Sequence, residues 1–245
     1  MKQISQLALS VQLPDDETFD SFKSMANQGV VAQLKAFIET SNNEEHHRGI
    51  VAPHGFYLFG LSGVGKSHLL HASSSYAATL NLSCLCLSFS ELTHLSVEVL
   101  DGLEHIDVIC LDDIHIIAGD KQWQQAVFDL YNRLVEQNKK MIITGDQSVQ
   151  QLAITLPDLV SRLSWGFVEQ VKVLSDDEKS TALQYRAQQR GLLLSNEVVK
   201  FLLNRLSRDM GSLIESLDIL DKASIIEQRK ITIPFIKETF PDKIF

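Results

Sequence analysis

Glycines, a lysine and a serine are concentrated in residues 60–67, a segment that reads GLSGVGKS and matches the pattern GxxxxGK(S/T). Glycines allow backbone amides to turn towards phosphate oxygens, and the N-terminus of a following helix adds a partial positive charge. In such a loop the ammonium group of Lys66 reaches the β- and γ-phosphates of a nucleotide, and the Ser67 hydroxyl binds Mg²⁺. The segment therefore predicts a nucleotide-binding loop, or P-loop.

The neighbouring sequence gives this segment the context that a P-loop requires. An apolar run at residues 56–59 predicts a strand before it, and a helical pattern over residues 66–79 predicts a helix after it. His68 and His71 lie one turn apart on that helix, and since no third metal ligand is suggested we interpret them as packing or hydrogen-bonding residues. The residues that we expect to contact the nucleotide are Gly60, Ser62, Gly63, Val64, Gly65, Lys66, Ser67 and His68.

Two carboxylates follow a buried-type strand further along the chain. The apolar run at residues 107–111 is succeeded by Asp112 and Asp113, which is the Walker B arrangement of P-loop proteins. We expect Asp112 to hold Mg²⁺ through water, together with Ser67. Asp113 stands where many P-loop ATPases have a glutamate that activates water. Because aspartate is one methylene shorter, we expect it to be a weak water-activating group.

Strands and helices alternate around these motifs. Apolar runs predict strands at residues 56–59, 83–89, 107–111, 141–144 and 167–173, and helical patterns lie near residues 30–40, 66–79, 91–100 and 123–135. From residue 175 the pattern is wholly helical, beginning with a capping box of Ser175 and Glu178. We predict an α/β P-loop domain with a parallel five-stranded sheet over residues 15–173, then a small all-helical domain over residues 174–245. Residues 1–14 form a separate N-terminal tail.

Composition limits the functions that the chain can have. Its 245 residues include 22 Lys and Arg against 31 Asp and Glu, a formal net charge of −9, which disfavours a protein that coats nucleic acid. Its 3 cysteines are too few for a disulfide framework, and we interpret them as buried thiols. The sequence contains neither a secretory signal nor an apolar run long enough to span a membrane. We therefore expect a cytoplasmic protein without membrane contact.

With both motifs assigned, the segments that link them resemble a known family. The stretches GVGKSHLLHA, LDDIHIIAG, MIITGDQ, LPDLVSRLSWG and ITIPFIKE are similar to the DnaA family of bacterial AAA+ replication proteins, over almost the whole chain. LPDDETF, FDLYNR and the C-terminal QRKITIPFIKE resemble the regulatory homologues within that family more than the initiator itself. The resemblance implies an AAA+ module, in which the helical domain is a lid over a bound adenine nucleotide.

Three site residues follow from the resemblance alone. Arg162, in VSRLSWG, matches the arginine finger, which enters a neighbouring subunit and stabilises charge on the phosphoryl group being transferred. Asp146 falls in the sensor-1 region, where a polar group monitors the γ-phosphate, and Thr144 is a neighbouring candidate.

One position departs from the family pattern. The sensor-2 arginine at the start of the third lid helix would fall on Gly211, which has no side chain to contact a phosphate. Together with Asp113, this departure leads us to expect weak or no intrinsic ATPase activity. A stably bound nucleotide, ADP rather than ATP, would then serve as a structural cofactor that orders the lid.

The family also recognises the base with the segment before the P-loop. Phe19, Phe22 and Asn27 are the candidates for the wall of that pocket in this sequence. Core packing would explain the two aromatic residues equally well.

The N-terminal tail carries a segment of its own. Gln6, Leu7 and Leu9 resemble the peptide motif with which regulatory members of the family bind the DNA polymerase sliding clamp. The resemblance thus implies a negative regulator of replication initiation. It would bind the clamp on DNA, contact DNA only through it, and supply Arg162 in trans to hydrolyse ATP bound to DnaA.

Two other functions are alternatives to this one. A free-standing P-loop ATPase or small-molecule kinase would need a substrate pocket and a competent water-activating acid, and the sequence suggests neither. An initiator that reads origin DNA would need a helix-turn-helix domain after the lid, whereas only residues 241–245 follow the last predicted helix. Whether the chain forms a homo-oligomer is left open by the sequence.

Overall fold

The computed structural model describes residues 16–40, 53–206 and 209–241. Its centre is a sheet in the order β2-β3-β4-β1-β5, in which every neighbouring pair of strands is parallel. The strands are Gly55–Phe59 (β1), Cys84–Ser88 (β2), Val108–Asp112 (β3), Lys140–Gly145 (β4) and Phe167–Gln170 (β5). The predicted parallel five-stranded sheet is confirmed.

Helices cover both faces of this sheet. They are Gln28–Glu39 (α1), Lys66–Thr79 (α2), the short Phe89–Leu92 (α3), Lys121–Glu136 (α4) and Pro157–Trp165 (α5). Successive residues of β1 point to opposite faces, so that Phe56 packs in one apolar cluster with Leu69 of α2, and Tyr57 in another with Leu130 of α4. Because the strands are parallel, their carboxyl ends meet at one edge, where the P-loop and the Walker B acids lie.

Three elements differ from the sequence prediction. Residues 91–100 do not form one helix, since α3 ends at Leu92 and a 3₁₀ turn covers Val97–Leu100; Thr93 and two valines make the stretch a weak helix former. β5 ends at Gln170 rather than at residue 173, because the side-chain amide of Asn27 takes both backbone groups of Lys172 in place of a strand partner. Helix α5 was not predicted.

The helical region that follows has its own apolar core. Its helices are Asp176–Gln189 (α6), Asn196–Arg205 (α7), Met210–Glu227 (α8) and Ile233–Thr239 (α9). The predicted capping box is present, since the Ser175 hydroxyl accepts from the Glu178 amide and the Glu178 carboxylate accepts from the Ser175 amide. Leu183, Leu203 and Leu217 pack at the centre of this core. In the described part of the chain, no helix combines the length and apolarity needed to cross a membrane.

Candidate functional site

A cavity of about 310 Å³ lies between the P-loop, the segment that precedes α1, and the lid. The predicted site residues on its wall are Phe22, Ser62, Gly63, Gly65, Lys66, Ser67, His68 and Asp113. From the lid, Leu174, Ala182 and Arg186 line one side, and Asp209 and Gly211 line another. The cavity therefore joins two parts of the molecule, so a ligand inside it would contact both.

The backbone conformation of the P-loop depends on two glycines. Gly63 and Gly65 have φ values of 74° and 96°, in the left-handed region that other residues rarely adopt. A Cβ atom at Gly65 would also lie 2.7 Å from Cε2 of Phe22, and one at Gly63 would lie 1.5 Å from Oδ1 of Asp209. Both conformation and space thus require glycine where the loop faces the cavity.

The Lys66 side chain is hydrogen-bonded to the backbone of the P-loop itself. Its buried ammonium group donates to the carbonyl oxygens of Gly60 at 2.9 Å and Leu61 at 3.1 Å. Ser67 is exposed to the cavity, whereas the Val64 side chain is buried in the core and anchors the loop. Both Lys66 and Ser67 line the space that phosphates would occupy.

The Walker B acid is fixed by a buried threonine. The Thr144 hydroxyl, at the end of β4, donates to Oδ1 of Asp112 and accepts from the Asp113 amide at 2.9 Å. Thr144 is fully buried. It therefore ties the end of β3 to the end of β4 and leaves the remaining oxygen of Asp112 for another partner. Asp112 itself does not line the cavity.

Asp113 has an unusual backbone and an altered acidity. Its φ of 60° is left-handed, and its half-buried carboxylate reaches the cavity. Burial and the charge of Asp112 raise the pKa of Asp113. Nδ1 of His115 lies 3.8 Å from Asp113 and 3.9 Å from the partly exposed Asp146. Of the two sensor-1 candidates, Thr144 thus contacts the Walker B acid, and Asp146 lies beside His115, a residue that the sequence did not single out.

Among the candidates for the base pocket, only Phe22 is on the cavity wall. Its ring packs edge-on against His68 with the ring centres 5.3 Å apart. Phe19 packs against Tyr76 in the core, and the buried amide of Asn27 bonds the backbone of Lys172 at 2.7 and 2.9 Å. Phe19 and Asn27 therefore position the segment that carries Phe22.

The contact between the first described residues and the lid was not predicted. Arg186 of α6 is 2% exposed, and its Nη2 lies 2.8 Å from Oε1 of Glu17. Oε2 of Glu17 is 2.5 Å from Nδ1 of His71 on the P-loop helix. Arg190, the C-cap residue of α6, pairs with Asp16 at 3.1 Å. Two arginines four residues apart were the available signal, but nothing local identified their partners.

This contact changes the acidity of Glu17. Burial alone would raise the pKa of its carboxyl group, but the hydrogen bonds from His71 and Arg186 outweigh burial and lower the pKa to about 2. Glu17 is therefore a carboxylate at neutral pH, facing the cavity beside a cationic lid residue.

Among the described residues, the start of α8 presents no cationic side chain to the P-loop, and Arg208, just before it, lies outside the described residues. Asp209 is its N-cap and accepts from the Ser212 amide at 2.9 Å, while Gly211 in the first turn lines the cavity. A Cβ atom at Gly211 would lie 3.2 Å from Oδ2 of Asp209. Among the described residues of the lid, Arg186 is the cationic side chain that lines this cavity. At residue 211 only backbone atoms line it.

Arg162 is outside this cavity. It lies in the last turn of α5, half-buried, with its guanidinium carbon 5.8 Å from the centre of the Tyr131 ring. Trp165, one turn along the same helix, is 51% exposed. The arginine therefore belongs to a different surface from the one that would bind this chain's own nucleotide.

Comparisons with known families place this architecture. The family model of the bacterial DnaA ATPase domain matches residues 13–170, and the model of the Hda lid domain matches residues 176–240. The first covers more than half of the chain. The boundary between the two matches falls between β5 and α6, where the sheet domain gives way to the helical lid.

Solved structures share the fold. Domain III of the replication initiation protein DnaA from Thermotoga maritima superposes with a TM-score of 0.79 at 18% identity, covering 95% of this chain and 98% of that one. DnaA from Aquifex aeolicus bound to AMPPCP has a TM-score of 0.65 at 20% identity, with 88% of this chain and 68% of that chain covered. The Holliday junction branch migration motor RuvB of Thermotoga maritima superposes with a TM-score of 0.63 at 15% identity, covering 94% of this chain and 72% of that one.

Proposed function

Since the chain belongs to the bacterial DnaA ATPase domain family and carries an Hda-type lid, we propose that it is a negative regulator of replication initiation. In this proposal it binds a nucleotide in its own cavity and promotes hydrolysis of the ATP held by the initiator DnaA. The chemistry is completed at DnaA, and this chain acts as an activating protein rather than as an enzyme with its own turnover.

The observation that supports this function most strongly is the position of Arg162. An arginine that completes a neighbour's active site must be accessible and must not serve its own, and Arg162 is half-exposed and absent from the cavity wall. The exposed Trp165 beside it provides apolar area for a protein contact. In other phosphoryl-transfer systems an arginine supplied in this way is worth roughly 10³–10⁵ in rate.

The chain's own nucleotide would have a structural role. The Lys66 ammonium group suits a β-phosphate, and hydroxyl and carboxylate oxygens of Ser67 and Asp112 are the hard donors that Mg²⁺ prefers. Asp113 is a short acid, and Gly211 provides no side chain to a γ-phosphate. We therefore propose bound ADP as the stable ligand, which would hold the lid against the sheet domain.

The proposal gives the N-terminal tail a docking role. Gln6, Leu7 and Leu9 lie outside the described residues, so their part rests on the resemblance of the motif. The described chain begins at Asp16, which is anchored to the lid through Arg190. A tail bound to the sliding clamp would bring the chain to DNA indirectly, in the bacterial cytoplasm and beside DnaA.

A reconstituted hydrolysis assay tests this function. DnaA loaded with radiolabelled ATP is mixed with the chain, with the clamp loaded on nicked circular DNA, or with both. We expect rapid hydrolysis only when both are present, and we expect a Gln6→Ala, Leu7→Ala variant to lose clamp binding while Gln3→Ala retains it. Sustained ATP turnover by the chain alone would contradict the proposal and favour a free-standing ATPase.

A further inference from the structure

Three thiols lie close together on the face of the sheet that α2 covers, at a place that the proposed function does not use. Cys84 and Cys86 are two residues apart on β2 and share a face, and Cys110 of β3 is the register partner of Cys86. The three Sγ atoms lie within 4.8 Å of one another, with Cys84 and Cys110 3.8 Å apart. Among the described residues, these form the one group of three or more His, Cys, Asp or Glu side chains close enough to share an ion.

The surroundings of this cluster are apolar, with one approach from solvent. Cys110 is fully buried and Cys86 is 8% exposed, whereas Cys84 is only half-buried. The inner two thiols donate to the Leu70 carbonyl of α2, at 3.6 Å from Cys86 and 4.0 Å from Cys110. None of the three lines the nucleotide cavity. An ion could therefore enter at Cys84 and be closed off from water by the other two.

The spacing of the sulfurs fits direct coordination. Three thiolates bound in a plane at about 2.3 Å from one ion are separated from each other by about 4.0 Å. The Cys84–Cys110 separation of 3.8 Å is already close to this value, and the 4.8 Å limit on the others requires only small side-chain adjustments.

The donor set selects the ion. Soft thiolate ligands favour Cu(I), zinc and iron–sulfur clusters. A structural zinc site needs four protein ligands, and no histidine or carboxylate of the described chain joins the three sulfurs. We propose that Cys84, Cys86 and Cys110 form a trigonal sulfur site for a single thiophilic ion of the Cu(I) class.

Binding has a predicted consequence for the neighbouring helix. Each cysteine that binds as thiolate releases its proton, so binding removes the thiol contacts to Leu70. Leu70 lies one turn after Lys66 on α2, and the ion would therefore act directly on the P-loop helix.

Anaerobic titration with Cu(I) in competition with bathocuproine disulfonate tests the proposal on the full chain. We expect one copper to be retained per chain, with X-ray absorption showing three sulfur neighbours. Because the chain has only these 3 cysteines, copper held by thiolate sulfur reports on this cluster alone. Cys84→Ser is the matched variant, since this residue is half-buried, and we expect it to lose the retained copper while binding ADP and melting as the wild type does.

Four results would overturn the assignment. Copper retained equally by Cys84→Ser, or fewer than three sulfur neighbours in the wild type, would mean that the cluster is not the site. No retention against the competitor would leave the cysteines as core packing. Zinc bound in preference to copper under the same conditions would refute the choice of ion. If Cys84→Ser does not fold, the sulfur count on the wild-type protein still decides.

Discussion

Glu17 and Arg186 are 169 residues apart in the chain, yet Oε1 of the first and Nη2 of the second lie 2.8 Å apart over the nucleotide cavity. The same carboxylate bonds His71 of the P-loop helix. One side chain of the N-terminal segment therefore links the lid to the helix that carries Lys66. Anything that moves this segment, including an event at the tail before it, would act on the relation between lid and P-loop.

Glu17→Gln is expected to lower stability in a pH-dependent way. Because the pKa of Glu17 is depressed from 4.5 to about 2, its contribution is fully present above pH 4.5 and is lost as the pH falls towards 2. A shift of this size corresponds to about 3 kcal/mol at neutral pH. Urea unfolding at pH 7 and at pH 2.5 measures the difference from wild type. The exposed Asp20→Asn is the control, and an equal loss for Glu17→Gln at both pH values would refute the linkage.

Lys66→Ala is expected to abolish nucleotide binding. The ammonium group is the cation of the P-loop, and without it the phosphates lose their main charged partner. At an ADP concentration of 100 times Kd, the wild type gains about 2.7 kcal/mol of stability, and the variant gains none. Differential scanning fluorimetry with and without ADP measures this, with the exposed Lys200→Ala as control. An ADP-induced rise in Tm equal to that of wild type would contradict the site.

Gly211→Arg is expected to restore a contact to the γ-phosphate. Gly211 lines the cavity, and a Cβ there meets only the carboxylate of Asp209 at 3.2 Å, so a longer side chain can extend into the cavity. A charged hydrogen bond is worth about 1.5–3 kcal/mol, which is roughly tenfold or more in affinity. Isothermal titration with ATPγS and ADP measures the gain, which should be confined to the triphosphate.

Gly211→Ala is the matched control for this change, because it adds the Cβ atom without the guanidinium group. An affinity for ATPγS that rises as much in Gly211→Ala as in Gly211→Arg would show that helix propensity, rather than phosphate contact, is responsible. No gain in either variant would mean that residue 211 is not directed at the γ-phosphate.

The parts of the site that were predictable are those encoded by local pattern. The P-loop and the Walker B acids are motifs at strand ends, and the Ser175–Glu178 box spans four residues, so each is visible in a short window of sequence. Each lies in the expected element of the fold, although Asp112 does not line the cavity. Helix α5 was missed because it has only nine residues, too few for a helical period to stand out in the sequence.

Contacts between distant segments were not predictable in this way. Asn27 reaches Lys172 across 145 residues, and in doing so it ends β5 early. Cys110 joins Cys84 from another strand, 26 residues away, through the pairing of β2 with β3. These relations arise from the topology of the sheet and the closure of the lid, which no local spacing reveals.

Single-turnover hydrolysis of radiolabelled ATP bound to DnaA, in the presence of the chain and of clamp on DNA, tests the central claim most directly. Arg162→Ala should lower the stimulated rate by roughly 10³-fold or more, and Arg162→Lys should not restore it, because an ammonium group lacks the planar fork of guanidinium. The Arg162 variants should bind ADP and melt as the wild type does. The control variant Arg205→Ala, at an exposed position, should stimulate hydrolysis as the wild type does. Full stimulation by Arg162→Ala would contradict the account.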